Sequence, residues 1–128
     1  MTARSRYRGA VLVESIHHVS LNVSDTDRAL RFYRDVLGMA QLPRPDFTFG
    51  GAWLDAGHGH QVHLIEADVP DDNGQHVAFR VRDLDSVIAD VRSAGHEVSD
   101  ARNVGDTAIR QAFVHDPDGN RLELTEPS

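Results

Sequence analysis

The chain writes the same module twice. Residues 52–66 read "AWLDAGHGHQVHLIE", and residues 112–126 read "AFVHDPDGNRLELTE". Ala52 aligns with Ala112, Trp53 with Phe113, Gly59 with Gly119, Leu64 with Leu124 and Glu66 with Glu126, while His63 falls opposite Glu123. Upstream, "HHVSLNVSDTDRAL" at 17–30 resembles "QHVAFRVRDLDSVI" at 75–88, pairing His18 with His76, Asp25 with Asp83 and Asp27 with Asp85. Two copies are too few for a solenoid. They predict one domain with internal pseudo-twofold symmetry over 16–126: module one at 16–66, a linker at 67–74 and module two at 75–126.

Each copy has the same internal order. Val19, Leu21 and Val23 alternate with His18, Ser20 and Asn22, which is the period of a strand. A helical pattern follows, with Ala29, Phe32, Tyr33, Val36 and Leu37 on one face, Ser24 or Asp25 able to cap it and Gly38 able to end it. The second copy repeats this with the strand "HVAFRV" and a helix placing Leu84, Val87, Ile88 and Val91 inward and ending at Gly95. Strand pairs then span 47–55 with 60–66, and 108–115 with 120–126, joined by the turns "AGHG" and "DPDG". The expected fold is α+β: two βαβββ modules forming a curved mixed sheet around a cavity, with helices on the outer face. The segment 39–51, with two prolines and two phenylalanines, reads as a lid or as a plain connector.

Composition excludes several function classes. A net charge of −7 opposes binding to nucleic acid, whose phosphates need a basic surface. The absence of cysteine removes disulfides, thiolate nucleophiles and thiolate metal ligands. No apolar run approaches the roughly 18 residues of a membrane span. Residues 1–15 carry Arg4, Arg6 and Arg8 before an apolar patch too short for a signal peptide, and read as a basic, mobile arm of a cytoplasmic protein.

Strand parity then points to chemistry. In four strands one face is apolar and must pack on helices, while the other carries His18, His76, His63 or Glu123. A lone strand histidine is ordinarily a hydrogen-bonded bystander. Two symmetry-related pairs, His18 with His76 and His63 with Glu123, are better explained as a ligand set. Three imidazoles and a carboxylate suit a divalent ion such as Zn, Ni, Co, Mn or Fe(II). Four protein donors in an octahedral site leave two positions open for substrate. The competing run His58-x-His60-x-x-His63 begins in a turn, where metal is held only loosely. His17 has the parity of Val19 and is expected against the helix layer, and His96 and His115 are read as structural. Phe47, Phe49, Trp53 and Phe113 are candidates for an apolar substrate wall. If the "HDPDGN" turn spans five residues, Gln111 and Phe113 share the face of Glu123; a one-residue change puts Arg110 there, and would favour an anionic substrate.

The stretches "IHHVSLNVSDTDRALRFYRDVLGM", "GQHVAFRV" and "FVHDPDGNRLELTE" resemble the vicinal oxygen chelate superfamily, which includes glyoxalase I, extradiol dioxygenases, fosfomycin-resistance thiol transferases and bleomycin-resistance proteins. The resemblance implies metal ligands at His18, His76 and Glu123. His63 stands where glyoxalase I carries a glutamate, and fosfomycin-resistance enzymes often have no ligand there. It also implies a homodimer, with sites formed within one chain or between two. The function expected is a metal-dependent lyase or isomerase that chelates vicinal oxygens of a small substrate, with Glu123 moving a proton. The alternatives are an Fe(II) extradiol dioxygenase and a metal-free drug-binding protein.

Overall fold

A computed structural model describes residues 12–127. The basic arm expected at 1–15 lies largely outside the described residues. The element order is β1 (His18–Val23), α1 (Thr26–Leu30, continuing as a π-helical turn over Arg31–Val36), β2 (Ala40–Leu42), β3 (Gly51–Gly57), β4 (His60–Glu66), β5 (Val77–Arg80), α2 (Leu84–Ser93), β6 (Arg102–Asn103), β7 (Arg110–His115) and β8 (Arg121–Glu126). These make the two expected βαβββ modules. Each forms a four-stranded mixed sheet, ordered β1-β4-β3-β2 and β5-β8-β7-β6, with β1 parallel to β4 and β5 parallel to β8. A groove of about 1120 Å³ runs between the two sheets, lined by Val19, Gln61 and Val62 on one side and Val77 and Phe79 on the other. No helix among the described residues is long and apolar enough to cross a membrane.

The helices form where the sequence places caps. Asp25 accepts a hydrogen bond from the Arg28 N–H at 3.0 Å, and Asp83 one from the Ser86 N–H at 3.2 Å. The end of α1 is wider than an α-helix: Leu37 N–H reaches back to the Phe32 carbonyl at 2.9 Å, and the consecutive Phe32 and Tyr33 are both buried. Gly38 and Gly95 end the two helices at positive φ. Val23, Leu54, Val62 and Leu64 of the first sheet, and Ala112, Val114, Leu122 and Leu124 of the second, join Leu84 and Val91 in one core.

The repeat of Glu66 and Glu126 has a structural reason. Glu66 accepts from the Thr26 hydroxyl at 2.7 Å and its N–H at 3.1 Å, and Glu126 accepts from the Leu84 N–H at 2.8 Å. In each module the end of the last strand ties down the start of that module's own helix, where the helix dipole favours an anion.

Two sequence readings need correction, and one alternative left open is decided. The strand expected at 47–55 begins only at Gly51, because Arg44 bonds the Phe49 carbonyl at 2.8 Å and holds the preceding residues in a loop. His17 is not against the helix layer: it precedes β1, is exposed, and its Nδ1 lies 2.9 Å from Nδ1 of His18. The second hairpin loop does span five residues, so Phe113 registers with Glu123; Arg110 points to the helix side and pairs with Asp85 at 2.8 Å.

Candidate metal centre

The four expected donors come together as two pairs. In module two, His76 immediately precedes β5, and Glu123 sits on β8 beside Ala78. His76 Nε2 lies 3.0 Å from Glu123 Oε1, while its Nδ1 lies 2.9 Å from the Gly74 carbonyl. Both ring nitrogens therefore face an oxygen acceptor. Only an imidazolium donates to both; with a neutral ring donating from Nδ1, the Nε2 lone pair faces Glu123, where a proton or a cation between the two would complete the contact. Two donors about 3.0 Å apart also span one edge of an octahedron with bonds of about 2.1 Å. This pair fits a divalent ion, and the Gly74 carbonyl does what outer-shell groups do for a ligating histidine by fixing its tautomer. Phe113 packs edge-on against His76, with ring centroids 5.3 Å apart.

The pair in module one is different. His63 is 8% exposed and is sandwiched between two rings: His18 at 4.0 Å and 15° on one face, Trp53 at 4.3 Å and 7° on the other. Its Nε2 lies 2.8 Å from Gln61 Oε1. Burial lowers its pKa first, and the neighbouring His18 and His17 lower it further, so the stack holds a neutral ring. A metal–nitrogen bond lies in the plane of its imidazole. Planes tilted by only 15° do not meet within the roughly 2 Å reach of such a bond. As stacked, His18 and His63 do not converge on one ion.

Among the described residues no three metal-competent side chains cluster. His58 and His60 are exposed at the first hairpin turn, away from any such cluster. His96 packs on Phe32 at 4.9 Å, and His115 bonds Asp72 at 2.8 Å. The candidate substrate wall divides. Gln111 and Phe113 share the face of Glu123. Phe47 and Phe49 lie stacked at 5.1 Å and remain 41% and 46% exposed, with the Arg44 guanidinium 4.8 Å and 5.2 Å from their centroids. Phe47 reaches Trp53 at 6.2 Å, so the 39–51 segment is joined to the His63 stack by aromatic contact.

Parity did not find Gly74, which contacts His76, or Asp72, which binds the Gly74 N–H and is held by His115 and Arg121. The one signal was an acidic linker ending two residues before a candidate ligand.

Comparison with known proteins agrees with this architecture. The model of the Glyoxalase/Bleomycin resistance protein/Dioxygenase superfamily matches residues 15–124. The lactoylglutathione lyase of Haemophilus influenzae is 35% identical over 125 residues, covering 87% of this chain and 91% of that protein. A glyoxalase family protein from Bacillus anthracis superposes with a TM-score of 0.81 at 26% identity, covering 91% of this chain and 97% of its own. The antibiotic binding protein TnmS3 from Streptomyces sp. superposes with a TM-score of 0.75 at 27% identity, covering 91% and 98%. With its paired βαβββ modules and a family match spanning both, the chain belongs to the glyoxalase/bleomycin resistance protein/dioxygenase superfamily.

Proposed function

We propose that this chain is a divalent-metal-dependent enzyme of glyoxalase type, a lyase or isomerase acting on vicinal oxygens of a small substrate. The observation that carries the reading is the His76–Glu123 pair, spaced at 3.0 Å with the His76 tautomer set from behind by Gly74. His18, His76 and Glu123 are the donors of this site. Where His18 Nδ1 is the donor in its 2.9 Å contact with His17 Nδ1, Nε2 is left as the lone-pair nitrogen. The parallel stack supports His63 as the ring that holds His18 in place rather than as a fourth donor.

A bound divalent ion supplies Lewis acidity toward two substrate oxygens. The protein does the rest. Glu123 is the carboxylate placed to accept and return a substrate proton. Trp53 and Phe113 wall the two half-sites and exclude water. The halves meet in a homodimer, where module one of one protomer faces module two of its partner. Two separate sheets, each with an outer strand, β1 or β5, open along the groove, support that arrangement.

The test is metal content of untagged protein by elemental analysis, followed by turnover of lactoylglutathione, the compound named in the 35% identical relative. Bound Zn, Ni, Co, Mn or Fe with metal-dependent turnover supports the reading. A metal-loaded protein that consumes oxygen with a catechol moves it to the dioxygenase alternative. A second reading is ligand sequestration, favoured by the exposed Phe47–Phe49 stack and the 27% identical antibiotic binding protein. A metal-free protein that quenches Trp53 fluorescence on binding a planar drug would support it.

A further inference from the structure

The acidic linker is not a passive connection between modules. Asp72 bonds the registered pair His115 and Arg121, which share the strand face of Glu123. Arg121 Nε donates to both carboxylate oxygens of Asp72 at 3.1 Å, Arg121 Nη2 lies 3.1 Å from Oδ2, and His115 Nε2 lies 2.8 Å from Oδ2. Hydrogen bonds from Arg121 first, then from His115 and the Gly74 N–H, hold this carboxyl well below the usual range, so it is anionic whenever the fold is intact.

From that anchor one continuous chain of contacts leads to the site. Asp72 Oδ1 accepts the Gly74 N–H at 2.9 Å, the Gly74 carbonyl lies 2.9 Å from His76 Nδ1, and His76 Nε2 lies 3.0 Å from Glu123. Gly74 holds φ +94°, a left-handed conformation that L side chains rarely adopt. That conformation lets its N–H turn toward Asp72 while its carbonyl turns toward His76. Arg121 closes the arrangement by lying 5.6 Å over Phe113, the ring that packs edge-on against His76.

We propose that Asp72 is a positioning residue that, through the Gly74 carbonyl, fixes the tautomer and orientation of His76 for metal binding. This rests on the metal-dependent reading above. Among the described residues no equivalent exists in module one, where His18 takes its Nδ1 contact from the neighbouring His17 side chain. The linker therefore gives the two half-sites different rigidity.

The experiment uses the full chain and two readouts. The first is the His76 tautomer in metal-free protein, read from its ring-nitrogen shifts by long-range proton–nitrogen NMR with the ring neutral. The second is zinc affinity by calorimetry. The variants are Asp72→Ala, Asp72→Asn and Gly74→Ala; the last places a Cβ in open space and acts only through backbone conformation. The parent is expected to hold the Nδ1–H tautomer. Asp72→Ala and Gly74→Ala are expected to mix the tautomers and weaken zinc by about 10–100-fold, the usual cost of an outer-shell partner. Asp72→Asn, which keeps an oxygen for the Gly74 N–H, is expected to fall between. An unchanged tautomer and unchanged zinc affinity in both Asp72→Ala and Gly74→Ala overturn the proposal. If the parent takes up no zinc, the metal reading falls, and the tautomer measurement still decides whether Asp72 sets the ring.

Discussion

The two modules share one topology and one β1–β4/β5–β8 register, yet their polar faces are built in opposite ways. Module one offers a dry stack of three rings, Trp53, His63 and His18. Module two offers a hydrogen-bonded pair, His76 and Glu123, backed by a linker of further hydrogen bonds. Their hairpin turns differ as well. The first is a two-residue turn, with His58 and Gly59 both at positive φ and both exposed. The second is a five-residue loop that clasps the other module. Asp116, 4% exposed, accepts from the Tyr33 hydroxyl at 2.6 Å and from the Asp118 and Asn120 N–H groups at 2.9 Å. Asp118 accepts from the Ser24 hydroxyl at 2.6 Å and pairs with Arg28 at 2.7 Å. The two modules thus share a backbone, and differences at single positions give ring packing to one half and hydrogen bonding to the other.

The largest effect is expected where the polar half is cut. His76→Ala should weaken metal by more than the roughly 100-fold that marks the upper end of outer-shell losses, while circular dichroism stays that of the parent. Metal titration checks it, and unchanged affinity would erase the distinction between the halves. Next comes the clasp. Asp116→Ala removes a buried carboxylate and leaves the donors of Tyr33 and Asn120 without it, at a cost of about 3 kcal/mol in urea unfolding. His63→Ala sharpens the comparison most directly. A supporting ring should cost metal affinity about tenfold, whereas a ligating one should cost as much as His76→Ala, so the two titrations run side by side separate the roles.

The smallest effect concerns acid. Hydrogen bonds from Thr26 lower the Glu66 pKa below the usual glutamate value. A depressed native pKa adds stability above the unfolded value and loses it as pH falls through the native one. Burial pushes Asp118 up, but Ser24 and Arg28 outweigh it and hold its pKa down, so it acts in the same direction. The urea midpoint should therefore decline below the ordinary carboxylate range. The decline should be shallower in Glu66→Gln, and a parallel decline in the variant would remove Glu66 from the account.

Much of this was legible in the sequence because the repeat doubled every signal. Parity alone put His76 and Glu123 on one face, and the alignment of Glu66 with Glu126 marked a tie before its partner was visible. Ring orientation was not legible: strand period says which face His63 takes, not that Trp53 would clamp it parallel to His18. The strands β2 and β6, three and two residues long, are too short to carry a period. Asp72 escaped because it lies in the linker, where no second copy exists for comparison and where contacts depend on loop conformation.

The ties made by Glu66 and Glu126 also bear on the order in which the chain assembles. Glu66 closes a segment of 40 residues onto Thr26, and Glu126 one of 42 residues onto Leu84. The clasp joins positions 83 to 98 residues apart. Closing a loop twice as long costs only about 0.6 kcal/mol more entropy, but the longer closure also needs both shorter ones to present its partners. The local ties predict that each module closes before docking through Asp116. In hydrogen exchange, amides of β4 and β8 should be protected before the Asp118 and Asn120 amides on the refolding path. A gene that doubles such a unit starts with two pieces that each close on their own, and only the surface between them has to be invented.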